Sequence, residues 1–337
     1  MDRSSRSSPA SSTRSFSRRE TLLIGTAGVA TAGAVGAAYT SGGTNGAAGT
    51  DDGTDDDGAS TDLDTIAHRG FAGENPENTV AAAAAAAGVR GRSADDGTTE
   101  RPADRIEIDV VPTGDGDVVV FHDDGLAARD GGARGLTDAD GIVWETDTAT
   151  VTNAEVLDSG ETVPRLSTLL EAVPADVGVD VELKNPGRTD LRFAEKLTDD
   201  ELPERTAAWR PFVDRVVDAL DDHDNEVLLS SFYEGALAAA REASSYAVAP
   251  VLWRSAADGL AIAREHDAAA VHPPKELVAG TPFYRGSGDA TDGDLVETAH
   301  AEGREVNVWT VETWYEADRL AAVGVDGLIA DYRTVVD

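Results

Sequence analysis

The chain has 337 residues, with 28 Lys and Arg against 63 Asp and Glu, a formal net charge of −35. So acidic a surface excludes a protein that tracks nucleic-acid phosphates, while leaving small anionic ligands open. There is no Cys, which rules out disulfides and thiolate chemistry, so any metal must be held by oxygen or imidazole.

Acid is spread over the whole chain, and Lys occurs only as Lys184, Lys196 and Lys275. This is the habit of a halophilic protein kept soluble in concentrated salt, where the Debye length falls to about 3 Å at 1 M. Residues 1–40 read as a targeting segment: Ser17, Arg18, Arg19 and Glu20 precede a weakly apolar, Gly/Ala-rich run from Thr21 to about Ala38. Paired Arg before a short apolar stretch resembles a twin-arginine export signal, so an extracellular or cell-surface location is expected. Gly25, Gly28, Gly33 and Gly36 speak against a soluble helix, each costing roughly 1 kcal/mol there. The run is borderline in length for a permanent span, so cleavage and retention as a membrane tether both stay open. Residues 41–63 are Gly, Thr and Asp with almost nothing apolar, a flexible, self-repelling linker.

Residues 64–337 are expected to form one domain, close to the roughly 250 residues usual for a (β/α)₈ TIM barrel. Strands are predicted over Thr65–His68, Arg105–Val111, Val177–Lys184, Glu226–Ser231, Ala247–Leu252, Ala268–His272, Glu305–Thr310 and Gly327–Ala330. Helices are predicted over Thr79–Gly88, Leu166–Val173, Leu191–Asp221, Glu234–Ala243, Ala256–His266, Asp292–Glu302 and Trp314–Val323. Eight strands with interleaved helices favour a parallel barrel over an open doubly wound sheet, which shares the alternation. The polar stretch Arg90–Ala103 precedes the second strand, on the face away from an active mouth, and should be dispensable for chemistry. Gly125–Thr162 is a long loop or small subdomain beside that mouth.

The stretch Arg105–Asp124, RIEIDVVPTGDGDVVVFHDD, carries the chemistry. It reads as a strand, a tight turn at Thr113–Gly116 and a return run from Val118 to Phe121. Side chains alternate along a strand, so Glu107 and Asp109 share one face. Alone, that pair would be ordinary on the wet face of an edge strand. The apolar return run, however, delivers His122, Asp123 and Asp124 beside it, an arrangement suited to a hard cation and proton transfer. In a barrel, active groups sit at the carboxyl ends of strands. His68 ends the first strand, Glu107 and Asp109 lie late in the second, Glu182 and Lys184 end the third, and Trp309 ends the seventh.

These residues also carry a family likeness. His68-Arg69-Gly70 followed by Pro76-Glu77-Asn78-Thr79 is similar to the H-R-G-x5-P-E-N-T opening of the glycerophosphodiester phosphodiesterase family. Ile106-Glu107-Ile108-Asp109-Val110, Thr113, Asp115-Gly116, Val118-Val119 and His122-Asp123 resemble its second block. Val181-Glu182-Leu183-Lys184 looks like its E-x-K strand, and Val306-Asn307-Val308-Trp309-Thr310-Val311 like its late V-x-V-W-T-V strand. The resemblance implies a TIM barrel that hydrolyses small-molecule glycerophosphodiesters with a divalent cation, Ca²⁺ or Mg²⁺. It further implies Glu107, Asp109 and Glu182 as metal ligands, His68 and His122 as acid and base, and Arg69 and Lys184 as phosphate holders. Three carboxylates suit such a hard cation without the name.

Three features depart from the family. The run Ala81–Ala87 replaces its usual Phe, its L-x-R-T-T after the second His is displaced to Leu126-Ala127-Ala128-Arg129-Asp130, and its T-D-x-P appears as Ala330-Asp331-Tyr332-Arg333. Plainer readings stand beside some roles. Glu182 and Lys184 could simply pair with each other, Trp309 is rim packing or an apolar wall for the glycerol end, and Pro76–Asn78 fixes the loop with Asn78 near a helix N-cap. His223, His266, His272 and His300 are read as structural or exposed. The rivals to the hydrolase are a phospholipase D- or C-like barrel acting on intact lipid and a surface binding protein that has lost turnover.

Overall fold

The computed structural model describes residues 63–88, 102–127, 136–286 and 294–335. The expected export segment, the linker up to residue 62, most of Arg90–Ala103, and Arg129 with Asp130 lie outside the described residues.

In chain order the elements are β1 (Asp64–Ala67), α1 (Val80–Ala86), β2 (Arg105–Pro112), β3 (Val118–Val120), α2 (Thr148–Asn153), α3 (Leu166–Leu170), β4 (Gly178–Leu183), α4 (Leu202–Leu220) and β5 (Val227–Ser231). They continue with α5 (Glu234–Ala243), β6 (Ala247–Pro250), α6 (Ala256–Glu265), β7 (Ala270–Val271), α7 (Leu295–Ala301), β8 (Glu305–Val311), α8 (Trp314–Ala321) and β9 (Gly327–Ala330). Eight strands are parallel in the order β6-β5-β4-β2-β1-β9-β8-β7, and β3 folds back antiparallel on β2. A parallel bridge between Val251 and His272, with Leu252 N–H donating to His272 O at 2.9 Å, joins the two ends of that path. The sheet is a nearly closed TIM barrel, and the open doubly wound alternative is excluded because neighbours in the sheet follow chain order without reversal.

The predicted hairpin is present: Thr113 N–H donates to Asp117 O at 2.8 Å, and Gly116 takes φ +95°, a conformation glycine adopts without a Cβ clash. The predicted helix Leu191–Asp221 is corrected, since its helical part starts only at Leu202. Thr198, Asp199 and Asp200 precede Pro203 in the first turn, and Thr198 ties its N–H and hydroxyl to the Glu201 carboxylate instead of a helical ladder. The described residues of Gly125–Thr162 pack Leu126, Leu136, Val143, Val151 and Val156 against Val111 of β2 and Phe121 after β3, in a cluster separate from the main core.

The alanine run has a packing reason. A Cβ on Gly70 would lie 2.8 Å from Ala82 Cβ, so α1 seats directly on the turn after β1, where larger side chains would push it away. The N-cap of α1 is Thr79, whose Oγ1 accepts from Ala82 N–H at 3.1 Å, so Asn78 stands next to the cap as expected.

Candidate active site at the carboxyl rim

Pairing β2 with β4 sets the site. Asp109 lies opposite Glu182 and Glu107 opposite Asp180, so alternate inward residues of two adjacent strands stack acid upon acid. Ligand oxygens of Glu107, Asp109 and Glu182 all fall within 4.8 Å of one another. Glu107 and Asp109 are buried, at 4% and 1% exposure, and Glu107 Oε1 and Asp109 Oδ1 have no hydrogen-bond donor. Buried carboxylate oxygens without donors, converging on one point, are what a hard cation would satisfy.

Two side chains balance this charge. The Arg69 guanidinium reaches Glu77 at 2.9 Å and Asp109 at 3.1 Å, and its backbone N–H donates to Glu107 Oε2 at 2.9 Å. Arg69 itself is held at φ +51° in the turn that follows β1. Lys184 Nζ lies 2.7 Å from Glu182 and 3.4 Å from Asp109. The plain pairing of Lys184 with Glu182 is thus present, and it keeps both groups at the site.

Asn78 was expected to shape a loop; it is buried and gripped to Asp109. Its Nδ2 donates to Asp109 Oδ2 at 2.8 Å, and its Oδ1 accepts from Asp109 N–H at 3.2 Å.

The three carboxylates are not equivalent. Burial, then Asp109 and Glu182, push the Glu107 carboxyl well above the usual range. Burial also raises Glu182, with Lys184 opposing it. Burial works against a charged Asp109 too, but Lys184, Arg69 and the two site histidines together hold it well below the ordinary value.

Both histidines have Nδ1 fixed by a carboxylate at 2.5 Å, His68 by Asp331 and His122 by Asp123. That leaves Nε2 of each ring as the nitrogen for exchange with a ligand. Burial first, then Arg69 and Lys184, depress His122 to about 4.

Trp309 stands in an aromatic wall with Phe232, Trp253 and Phe193, and its Nε1 donates to His272 O at 2.8 Å. Lys184 Nζ sits 5.5 Å from the Phe232 ring centre, joining the wall to the carboxylates. His68, Arg69, Glu107, Asp109, His122, Glu182, Lys184 and Trp309 therefore meet at one mouth. Asp331, Phe193, Phe232 and Trp253 were missed by sequence reasoning. The only signal for Asp331 was its place in the altered closing motif.

Of the histidines set aside, His272 is fully inside the barrel, 3.5 Å from Asp180 and 3.3 Å from Asn307. His266 bonds the buried Glu234 at 3.1 Å, and His300 bonds Asp326 at 2.8 Å on the surface.

Comparison with known proteins adds an independent line. The model of the Glycerophosphoryl diester phosphodiesterase family matches residues 68–334. A glycerophosphodiester phosphodiesterase of Bacillus altitudinis is 26% identical over 279 residues, covering 79% of this chain and 94% of the relative. One from Caldanaerobacter subterraneus is also 26% identical, covering 93% of its own length. Among solved structures, an Oleispira antarctica phosphodiesterase in complex with the product sn-glycerol-3-phosphate is similar at TM-score 0.59 and 25% identity, over 81% of this chain and 94% of that one. The Thermotoga maritima glycerophosphodiester phosphodiesterase shares the fold at TM-score 0.55 and 19% identity, over 80% of this chain and 95% of that one. With its motifs in register around this rim, the chain belongs to the glycerophosphoryl diester phosphodiesterase family.

Proposed function

We propose that the protein hydrolyses glycerophosphodiesters to an alcohol and sn-glycerol 3-phosphate, with Ca²⁺ or Mg²⁺ held by Glu107, Asp109 and Glu182. The observation that carries this reading is the carboxylate trio within 4.8 Å, with Glu107 and Asp109 buried and Glu182 half-buried, flanked by two histidines whose Nδ1 atoms are each anchored by an aspartate. A divalent cation there would neutralise charge developing on the phosphoryl group.

The chain's own groups supply the rest. Arg69 presents fixed donors, and Lys184 a point charge, to phosphate oxygens. His122, depressed to about 4 by burial, Arg69 and Lys184, stands neutral at pH 7 and accepts the nucleophile's proton at Nε2. Asp123 then faces the imidazolium that results. His68, with Asp331 beside its Nδ1, delivers a proton from Nε2 to the departing alkoxide. Each transfer is typically worth 10²- to 10⁴-fold in rate.

The test is release of glycerol phosphate by purified, folded protein supplied with either cation, which His122→Ala should reduce by about 10²-fold or more. A wild type that cleaves no glycerophosphodiester, or a variant with undiminished product formation, refutes the reading.

A second reading, cleavage of intact lipid, draws on the exposed aromatics Trp314, Tyr315 and Tyr284, at 69%, 44% and 47% exposure. Rates on micellar lipid against soluble head-group diester separate the two. We also infer export through residues 1–40, on the strength of Arg18-Arg19 before an apolar run. Replacing both arginines by lysine should retain the protein in the cytoplasm.

A further inference from the structure

Resting on that reading, we infer that Phe193 and Trp253, together with Phe232 and Trp309, form the subsite for the alcohol part of the diester, and that it favours an alcohol carrying a quaternary ammonium. The four rings close a circuit. Phe193 stacks on Phe232 at 4.7 Å, Phe232 meets Trp309 edge-on at 5.6 Å, Trp309 stacks with Trp253 at 5.9 Å, and Trp253 meets Phe193 edge-on at 6.0 Å. They come from the loop before α4 and the ends of β5, β6 and β8. The wall begins at Phe232, where Lys184 ends.

The wall is built and held. Phe193 is 43% exposed, an apolar ring kept in water at the mouth where a free loop would let it turn inward. Ala194, at φ +51°, donates its N–H to Phe232 O at 3.0 Å, which fixes the two rings relative to each other. Three residues on, Leu197 N–H and Lys196 Nζ bind the buried Glu234 carboxylate at 2.5 Å and 2.7 Å. A loop tied at two points beside a half-exposed aromatic ring is preorganised for a ligand.

The chemistry of the wall selects a weakly hydrated cation. Aromatic faces carry negative potential, and quaternary ammonium groups are bound that way. The basic side chains of the carrying loop are paired, Arg188 to Asp190, Arg192 to Glu195 and Glu201, and Lys196 to Glu234. Lys184 is the strongest charge felt at Tyr233, whose ring lies 5.8 Å from that of Phe193, and Asp124 and Glu182 oppose it there. A polyol gains less, since the Trp309 N–H is already engaged with His272 O.

The experiment compares glycerophosphocholine with glycerophosphoglycerol on the full chain and on Phe193→Leu, which keeps bulk and apolarity but removes the π face. The ratio of the two kcat/KM values should fall about 3- to 30-fold, the range of one cation–π contact. An unchanged ratio overturns the inference, even if both rates drop. Choline alone gives a readout free of turnover: it should quench tryptophan fluorescence in the wild type, more weakly in Phe193→Leu. No choline-dependent change overturns the subsite. If the wild type cleaves neither diester, the proposed activity fails, and the choline titration still decides the wall.

Discussion

Replacing Glu107 by Gln separates the cost of the carboxylate trio from its use. At the 4.8 Å limit of the cluster, two unit charges repel by about 3 kcal/mol at an effective dielectric of 20. Arg69 and Lys184 offset part of this, yet burial, Asp109 and Glu182 still hold the Glu107 carboxyl well above its ordinary value. A group raised in the folded state contributes stability that is fully present below its unfolded pKa and is lost as pH rises through the folded one. The slope reaches about 1.4 kcal/mol per pH unit. Without divalent cation, wild-type stability should therefore fall as pH rises above the ordinary carboxylate range. Saturating Ca²⁺ or Mg²⁺ should restore about 3 kcal/mol at a concentration near 100 Kd, and flatten the slope. Gln keeps the shape and cannot ionise, so Glu107→Gln should show a shallower slope in EDTA and at least a tenfold weaker cation affinity. Urea unfolding followed by tryptophan fluorescence, at several pH values and constant salt, reads all four terms. A wild type whose pH slope is the same with and without cation would refute the argument, as would a Glu107→Gln protein with undiminished cation stabilisation.

Asp331→Asn should lower kcat about 10-fold or more while leaving cation-induced stabilisation intact, because Asp331 touches His68 and none of the three carboxylates; unchanged kcat with unchanged pH profile would show that His68 needs no anchor. Thr79→Ala removes the Oγ1 that caps α1 and should cost about 1 kcal/mol in urea unfolding, with kcat nearly unchanged, and no loss would mean the cap is replaced by solvent. Asp180, raised to about 7 by burial, contributes stability that is present at acid pH and lost as pH climbs through 7. Asp180→Asn should therefore decline less than the wild type between about pH 4 and about pH 8 when both are saturated with cation, and parallel curves across that range would contradict the assignment.

What was legible in the sequence was local. Glu107 and Asp109 are two residues apart on a strand, so alternation alone places them on one face, and the hairpin that returns His122 is written in Thr113–Gly116. The strand-and-helix alternation gave the barrel its order. Illegible were the facts that depend on closure. His68 is bonded to a residue 263 positions away. Asp180 and His272 meet in the barrel interior only because the β6 and β7 ends are joined. Of the four rings of the wall, Phe193, Phe232 and Trp253 come from segments that carry no motif, and only Trp309 sits in one. Leu191–Asp221 failed for a different reason: apolar periodicity runs through Leu191 and Leu197, but the latter's N–H is taken by the Glu234 carboxylate, a tertiary contact that outcompetes helix propensity.

The same closure explains why the trio survives in a folded chain. Three clustered carboxylates, two of them buried, would be untenable where nothing opposes them. Here β1 brings Arg69 and β4 brings Lys184 to the same level as Asp109, and each cation meets it within 3.4 Å or less. The compensation is lopsided by position. Asp109, between both cations, stays charged, while Glu107 and Glu182 are raised and can hold protons when no metal is present. Cation binding favours the ionised form of both glutamates, so affinity should climb with pH. An acid-rich rim can thus stay folded with no cation bound and, on the proposed reading, still present a fully anionic ligand set to one.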